Sequence, residues 1–175
     1  MIEVKKIIEK KVPMPIFLYE GIVKDLEIDY FIKRIDENLT SLTGRTNVKG
    51  GMTDWKLFAE DEKFVNILKT NLEGLPYAIP PGFMGEAWGI KLEKGQNTTF
   101  HDHKPANVSG ILYFSESTTP LKFPDLNLDI YPKVGTLAVW SAPLIHGTGY
   151  LKEGPKYAIA FNMEEVKPWG NNDWD

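Results

Sequence analysis

From about residue 86 onward the chain breaks into short apolar segments separated by glycine- and proline-containing turns. This punctuation limits the fold more than any other feature. Trp88, Ile90 and Leu92 alternate with Ala87, Gly89 and Lys91, the two-residue period of a strand with two distinct faces. Gly95-Gln96-Asn97 reads as a turn, and a second strand runs into Phe100-His101-Asp102-His103. Val108 to Phe114 is a third, followed by a polar turn from Ser115 to Pro120. Short strands follow at Leu121 to Phe123 and Leu128 to Tyr131. Pro132 to Gly135 turns the chain into a strand from Thr136 to Trp140. Ser141-Ala142-Pro143 then leads to Leu144-Ile145-His146, and the last strand is Lys156 to Met163. Eight short strands at this spacing predict a β-sandwich or barrel.

The preceding half reads differently. Residues 14 to 23 form a short apolar strand bounded by Pro15 and Gly21. Asp25 is placed to cap a helix running to about Leu42, with Leu26, Phe31, Ile35, Leu39 and Leu42 as its apolar stripe. Asp61 begins a second helix carrying Phe64, Val65, Leu68 and Leu72, with Gly74 as its stop. The segments around 43–55, with Arg45, Lys49 and Asp54-Trp55, and around 76–85 read as loops. Two amphipathic helices in front of many strands are expected to cover one sheet. With 175 residues and 42% apolar composition the chain suits one domain, a helical support over 1–85 and a β core over 86–163.

Charge narrows the function classes. A net charge of −4 argues against general nucleic-acid binding. Without cysteine there is no disulfide, thiolate metal site or cysteine nucleophile, which fits a reducing compartment. The N-terminus lacks an uncharged apolar signal core, and no run suggests a membrane span. The expectation is a soluble cytoplasmic domain with no membrane partner.

The chain has three histidines, His101, His103 and His146. On an extended strand, residues i and i+2 project from the same face, so His101 and His103 point together. A distant strand ending in His146 can bring a third imidazole beside them. Three nitrogen ligands on one side of a metal leave the other side open to exogenous ligands, as catalytic sites require. The last strand is informative too. Tyr157, Ile159, Phe161 and Met163 share a bulky apolar face, while Lys156, Ala158, Ala160 and Asn162 share the other. Small residues beside a cation leave room for an anionic ligand, although a lysine at a strand start is more commonly solvated.

These residues together resemble the iron(II)- and 2-oxoglutarate-dependent oxygenases. In that superfamily a His-x-Asp/Glu pair ends an early strand, a distal histidine follows, and a basic residue about ten positions later holds the far carboxylate of 2-oxoglutarate. A branch found in marine bacteria and phages is similar in its His-x-His, Ser-Gly-x-x-Tyr-Tyr, strand-to-histidine and Arg-x-Ser-x-x-Phe-Asn blocks. They correspond to the stretches from His101, Ser109, Gly135 and Lys156, so the resemblance covers residues 86 to 163. It implies a mainly β (α+β) fold, a double-stranded β-helix of the jelly-roll or cupin-like kind, with the N-terminal helices packed on one sheet.

The resemblance also implies a dioxygenase that couples decarboxylation of 2-oxoglutarate to succinate with hydroxylation of a substrate, using Fe(II) and O2. His101, His103 and His146 would hold the metal. Lys156 would meet the cosubstrate carboxylate, helped by Tyr113. Asn97, Asn107 and Asn162 are candidate pocket hydrogen-bonders, equally readable as turn or strand-edge residues; Asn162 is assigned to the cosubstrate. Trp88 and Trp140 read as core. Two departures stand out. The usual carboxylate position holds His103, leaving Asp102 as an alternative ligand if the strand ends at His101. Lys156 and Ala158 stand where the branch has arginine and serine, giving a point charge instead of a planar fork. The alternatives are a non-catalytic jelly-roll metal- or ligand-binding module, cupin-like or a phage accessory protein, and a three-histidine dioxygenase that does not use 2-oxoglutarate. The prime substrate, protein or small metabolite, is unreadable; a homodimer is compatible with the sequence.

Overall fold

The structure, a computed structural model, describes residues 16–40, 46–75 and 84–164. The described strands, all antiparallel in their pairings, form two sheets. The larger contains β1 (Leu18–Ile22), β2 (Gly51–Met52), β3 (Met84–Leu92), β5 (Val108–Tyr113), β8 (Thr136–Ser141) and β10 (Lys156–Met163), in the order β1-β8-β5-β10-β3-β2. The smaller contains β4 (Thr98–His101), β6 (Leu121–Phe123), β7 (Leu128–Ile130) and β9 (His146–Thr148), in the order β4-β9-β6-β7. Two helices, α1 (Ile28–Glu37) and α2 (Glu62–Leu72), accompany them.

Strand β10 divides the interior into two cores. Its Tyr157, Ile159, Phe161 and Met163 pack with Phe31 and Ile35 of α1 and Phe64, Leu68 and Leu72 of α2. Its Ala158 and Ala160 face the other way, toward Leu121, Phe123 and Ile130 of the smaller sheet. Alternation of large and small residues therefore assigns the helices to one side and the space between the sheets to the other. Gly110 is required here, because a Cβ at that position would fall within the Phe161 ring.

The helices follow their caps. Asp61 accepts from the Phe64 N–H at 3.0 Å, the expected start of α2, and Gly74 follows its end with φ +79°. The same buried carboxylate accepts from the Tyr30 hydroxyl at 2.6 Å and meets Arg34 Nε at 3.0 Å, so it ties α1 to α2. The expected cap at Asp25 is not made. Asp25 has φ 55°, and α1 begins only at Ile28, behind a Glu27 that makes no side-chain cap bond. The helix also stops at Glu37, where the Asn38 side chain donates to Arg34 O. Beyond it Thr40 already donates its N–H to Met52 O, and Leu39 is exposed instead of completing the stripe. Leu42, Arg45, the prolines within 76–83 and the residues after 164 lie outside the described residues.

Two strands are supplied from before residue 86. Strand β1 pairs with β8, and the unexpected two-residue β2 pairs with Lys91 and Ile90 of β3. Among the described residues no helix is long and apolar enough to cross a membrane.

Candidate metal centre

The register of β4 and β9 sets His101 directly opposite His146, so two imidazoles 45 positions apart in sequence become cross-strand neighbours. Their ring centroids are 4.5 Å apart. Strand β4 ends at His101, and the chain then turns inward: His103 donates its N–H to Ala142 O at 3.0 Å. The His103 ring returns to within 4.7 Å of His101 and 5.0 Å of His146. One nitrogen from each of the three rings lies within 4.8 Å of the others. The backbone return to Ala142, not strand alternation, brings His103 in.

Carbonyl oxygens orient two of the rings. His101 Nδ1 lies 2.7 Å from Thr99 O and His146 Nδ1 lies 2.9 Å from Leu144 O. A carbonyl only accepts, so each Nδ1 carries the proton and each Nε2 keeps its lone pair for the interior. His103 Nδ1 instead faces the Asn162 side-chain nitrogen at 3.3 Å, and His103 Nε2 stands 3.2 Å from His101 Nε2. Burial dominates the electrostatics, holding all three rings neutral. It pushes His103 down to about 3 and His146 to about 4, with the neighbouring imidazoles adding to the effect, and lowers His101 as well. Such a set of three neutral nitrogens fits a borderline divalent metal. Asp102 stands outside the cluster; its carboxylate takes the Lys104 ammonium at 2.9 Å and the Lys104 N–H at 3.3 Å.

Lys156 is 3% exposed, and its ammonium donates to Thr148 Oγ1 at 3.3 Å. Thr148 is two residues past His146 on β9, one repeat of strand alternation along the same face. The ammonium also sits 5.6 Å from the centre of the Tyr113 ring. No described carboxylate lies within ion-pair distance of it, and burial alone lowers its pKa to about 8. The Tyr113 hydroxyl is buried without a hydrogen-bond partner, and its pKa is raised by that burial. A buried cation without an anionic partner suits a carboxylate ligand, and the buried Tyr113 hydroxyl likewise lacks a partner. A cavity of about 40 Å³ has the triad, Thr148 and Ala160 in its wall, and Thr148 links that wall to the Lys156 ammonium.

Trp88 and Trp140 are buried, as the sequence suggests, but both also line this cavity, and neither indole N–H has a partner. Asn162 is turned toward His103 and Glu86. The Asn97 carbonyl accepts from the Lys49 N–H and the Asn107 N–H donates to Met163 O, backbone roles in a turn and at a strand edge. Glu86 and Thr148 escaped the sequence reading. For Glu86 a signal existed, since alternation puts it on the face of Trp88 and Ile90. Among the loop residues, Lys49 bonds Thr46 O, Asp54 accepts from the Lys56 N–H and Trp55 packs edge-on against Trp88 at 4.8 Å.

No protein-family model matches the chain, and no curated protein matches it. Solved structures do. A viral collagen prolyl hydroxylase from Paramecium bursaria Chlorella virus-1, in complex with 2-oxoglutarate, aligns with a TM-score of 0.56 at 15% identity, over 83% of this chain and 94% of that one. An oxidoreductase of the 2OG-Fe(II) oxygenase family from Burkholderia pseudomallei gives 0.54 at 9% identity, over 79% and 77%. A Pseudomonas putida prolyl-4-hydroxylase gives 0.51 at 12% identity, over 84% and 92%. Two facing antiparallel sheets with helices on the larger, matched across most of each chain, make this fold a double-stranded β-helix similar to that of the oxygenases it aligns with.

Proposed function

We propose that the protein is an Fe(II)- and 2-oxoglutarate-dependent dioxygenase that hydroxylates an as yet unidentified substrate, of the His-x-His branch found in marine bacteria and phages. One observation carries the reading: a buried lysine with no anionic partner among the described residues is hydrogen-bonded to Thr148, one strand repeat from His146 in a cluster of three neutral imidazoles. A metal-binding module with no cosubstrate has no use for that cation.

In this reading His101, His103 and His146 hold the metal through their inward nitrogens. Thr99 O and Leu144 O fix the tautomers of two of them. Lys156 and Thr148, with the Tyr113 hydroxyl, orient the far carboxylate of the 2-oxo acid. Trp88, Ile111 and Trp140 exclude water from the cavity wall. Bound iron supplies the oxidative chemistry with O2, converting 2-oxoglutarate to succinate and carbon dioxide. The protein supplies position and dryness. With no carboxylate in the cluster, the metal keeps more positive charge than in a two-histidine, one-carboxylate set. That feature favours the second reading, a three-histidine dioxygenase without 2-oxoglutarate.

The test is anaerobic. Fe(II) and 2-oxoglutarate are added to the metal-free protein and the visible charge-transfer band of the chelate is sought. A band that Lys156→Ala weakens supports the proposal. Iron binding without a band favours the second reading, and no iron binding leaves a non-catalytic module.

A further inference from the structure

The register of the larger sheet aligns Trp140, Ser109, Asn162 and Glu86 in one row across four strands on the cavity side. Three of them are joined. Ser109 Oγ donates to Asn162 Oδ1 at 2.8 Å, and Asn162 Nδ2 donates to Glu86 Oε2 at 3.1 Å. The same Asn162 nitrogen stands 3.3 Å from His103 Nδ1. The row thus ends on the imidazole that occupies the place of the usual carboxylate ligand.

The donor inventory decides which way the amide faces. A hydroxyl can give or accept, so Ser109 tolerates either orientation of Asn162. A carboxylate only accepts, so Glu86 requires the amide nitrogen. That nitrogen has two hydrogens; one goes to Glu86 and the other points at His103 Nδ1. His103 Nδ1 must then accept, which leaves the ring proton on Nε2. His103 Nε2 lies 3.2 Å from His101 Nε2, whose own proton sits on Nδ1 against Thr99 O. Along the path from Asn162 to His103, His103 to His101 and His101 to Thr99, each donor meets an acceptor.

We propose that Glu86, acting through Asn162, is a positioning residue that latches His103 to His101 and thereby weakens metal capture by the triad. The inference rests on reading the triad as a metal site. A metal at His103 Nε2 needs that atom's lone pair, so the ring proton must move to Nδ1 and the Asn162 amide must turn its oxygen toward it. The turned oxygen would face the Glu86 carboxylate, two acceptors without a hydrogen between them. Loading therefore requires the half-buried Glu86 side chain to swing away. Groups that hydrogen-bond the far nitrogen of a ligating histidine ordinarily act in the other direction, accepting its proton.

The test has two readouts and needs no turnover. In metal-free protein, ¹⁵N-resolved histidine spectra should show His103 as the Nε2–H tautomer, and His101 and His146 as Nδ1–H. Glu86→Gln offers an amide that can donate to a turned Asn162 oxygen. It should bring the Nδ1–H form of His103 into the spectrum and tighten Zn(II) binding, measured by calorimetry, at least threefold. Glu86→Ala, which removes the acceptor without adding a group, should shift both in the same direction. An Nδ1–H His103 in the metal-free wild type overturns the proposal. So does Zn(II) affinity that is unchanged or weaker in both variants, since a carboxylate acting only as a distant negative charge would weaken binding on removal. The tautomer readout needs no metal, so a triad that takes up no Zn(II) would defeat the metal reading and leave the latch to be decided by the spectra.

Discussion

Replacing Lys156 with methionine should stabilise the ligand-free protein while removing its response to 2-oxoglutarate. Methionine keeps the length and apolar stem of the side chain and deletes the ammonium. Burial lowers the Lys156 pKa from 10.5 to about 8. At about 1.4 kcal/mol per tenfold change in proton affinity, holding the charge inside the fold at pH 7 costs roughly 3 kcal/mol. Below pH 8 the folded and unfolded chains both carry the proton and the full cost applies. Between pH 8 and 10.5 only the unfolded chain carries it, so wild-type stability recovers as pH rises. The advantage of Lys156→Met should accordingly be largest at pH 7 and nearly gone by about pH 10.5. For a chain of this length about 3 kcal/mol is a rise of roughly 6–12 °C in Tm. Thermal and urea unfolding at pH 7 and pH 10, with and without Mn(II) and 2-oxoglutarate, measure both effects. Wild type at a hundredfold excess over Kd should gain about 2.7 kcal/mol from the ligand, and the variant should not. A variant that is no more stable than wild type at pH 7, with the same pH dependence, refutes the reasoning: the ammonium would not be carrying an unrelieved burial cost.

The triad should make the protein sensitive to acid. His103 and His146 stay neutral to about 3 and about 4 when folded, against 6.5 when unfolded, so between about pH 6.5 and 4 the unfolded chain binds more protons. Stability should fall with pH by up to about 1.4 kcal/mol per unit for each group, and a flat urea midpoint between pH 7 and 5 would contradict this. His146→Ala should abolish Fe(II) binding, and an unchanged affinity by anaerobic titration removes it from the ligand set. Asp61→Ala deletes the α2 cap and the acceptor for Tyr30 and Arg34, so it should cost about 2–4 kcal/mol in urea unfolding; a loss under about 0.5 kcal/mol would mean the helices do not depend on this tie.

The parts legible in the sequence were those in which local pattern and final environment agree. Lys156 to Met163 declared its two faces because every bulky residue falls on one parity and every small or polar one on the other, and the helix layer and the cavity enforce that division. Asp61 was readable because its acceptor, a turn ahead of an apolar stripe, needs nothing distant. Asp25 misled for the same reason inverted: a competent cap residue was taken into a left-handed turn, so α1 starts three residues on. Gly51 and Met52 looked like loop because their strand exists only through pairing to Lys91 and Ile90. His103 was expected in the cluster by alternation along a strand that in fact ends at His101; a hydrogen bond to Ala142 does that work, and no local signal encodes it. The neighbours of Asn162 across the sheet, Ser109 and Glu86, are set by register, so its approach to His103 has no local signal in the sequence.

The pairing of His101 with His146 also orders events in time. During synthesis both nearer histidines emerge well before His146, and two imidazoles on an unpaired segment make a weak and unselective chelate. The cross-strand position that completes the set exists only after β9 has docked beside β4, a contact between segments far apart in the chain and therefore late in assembly. On the metal-binding proposal, the ion the three rings accept would be chosen by a finished cavity with fixed spacing. A nascent chain would have taken the first ion to arrive.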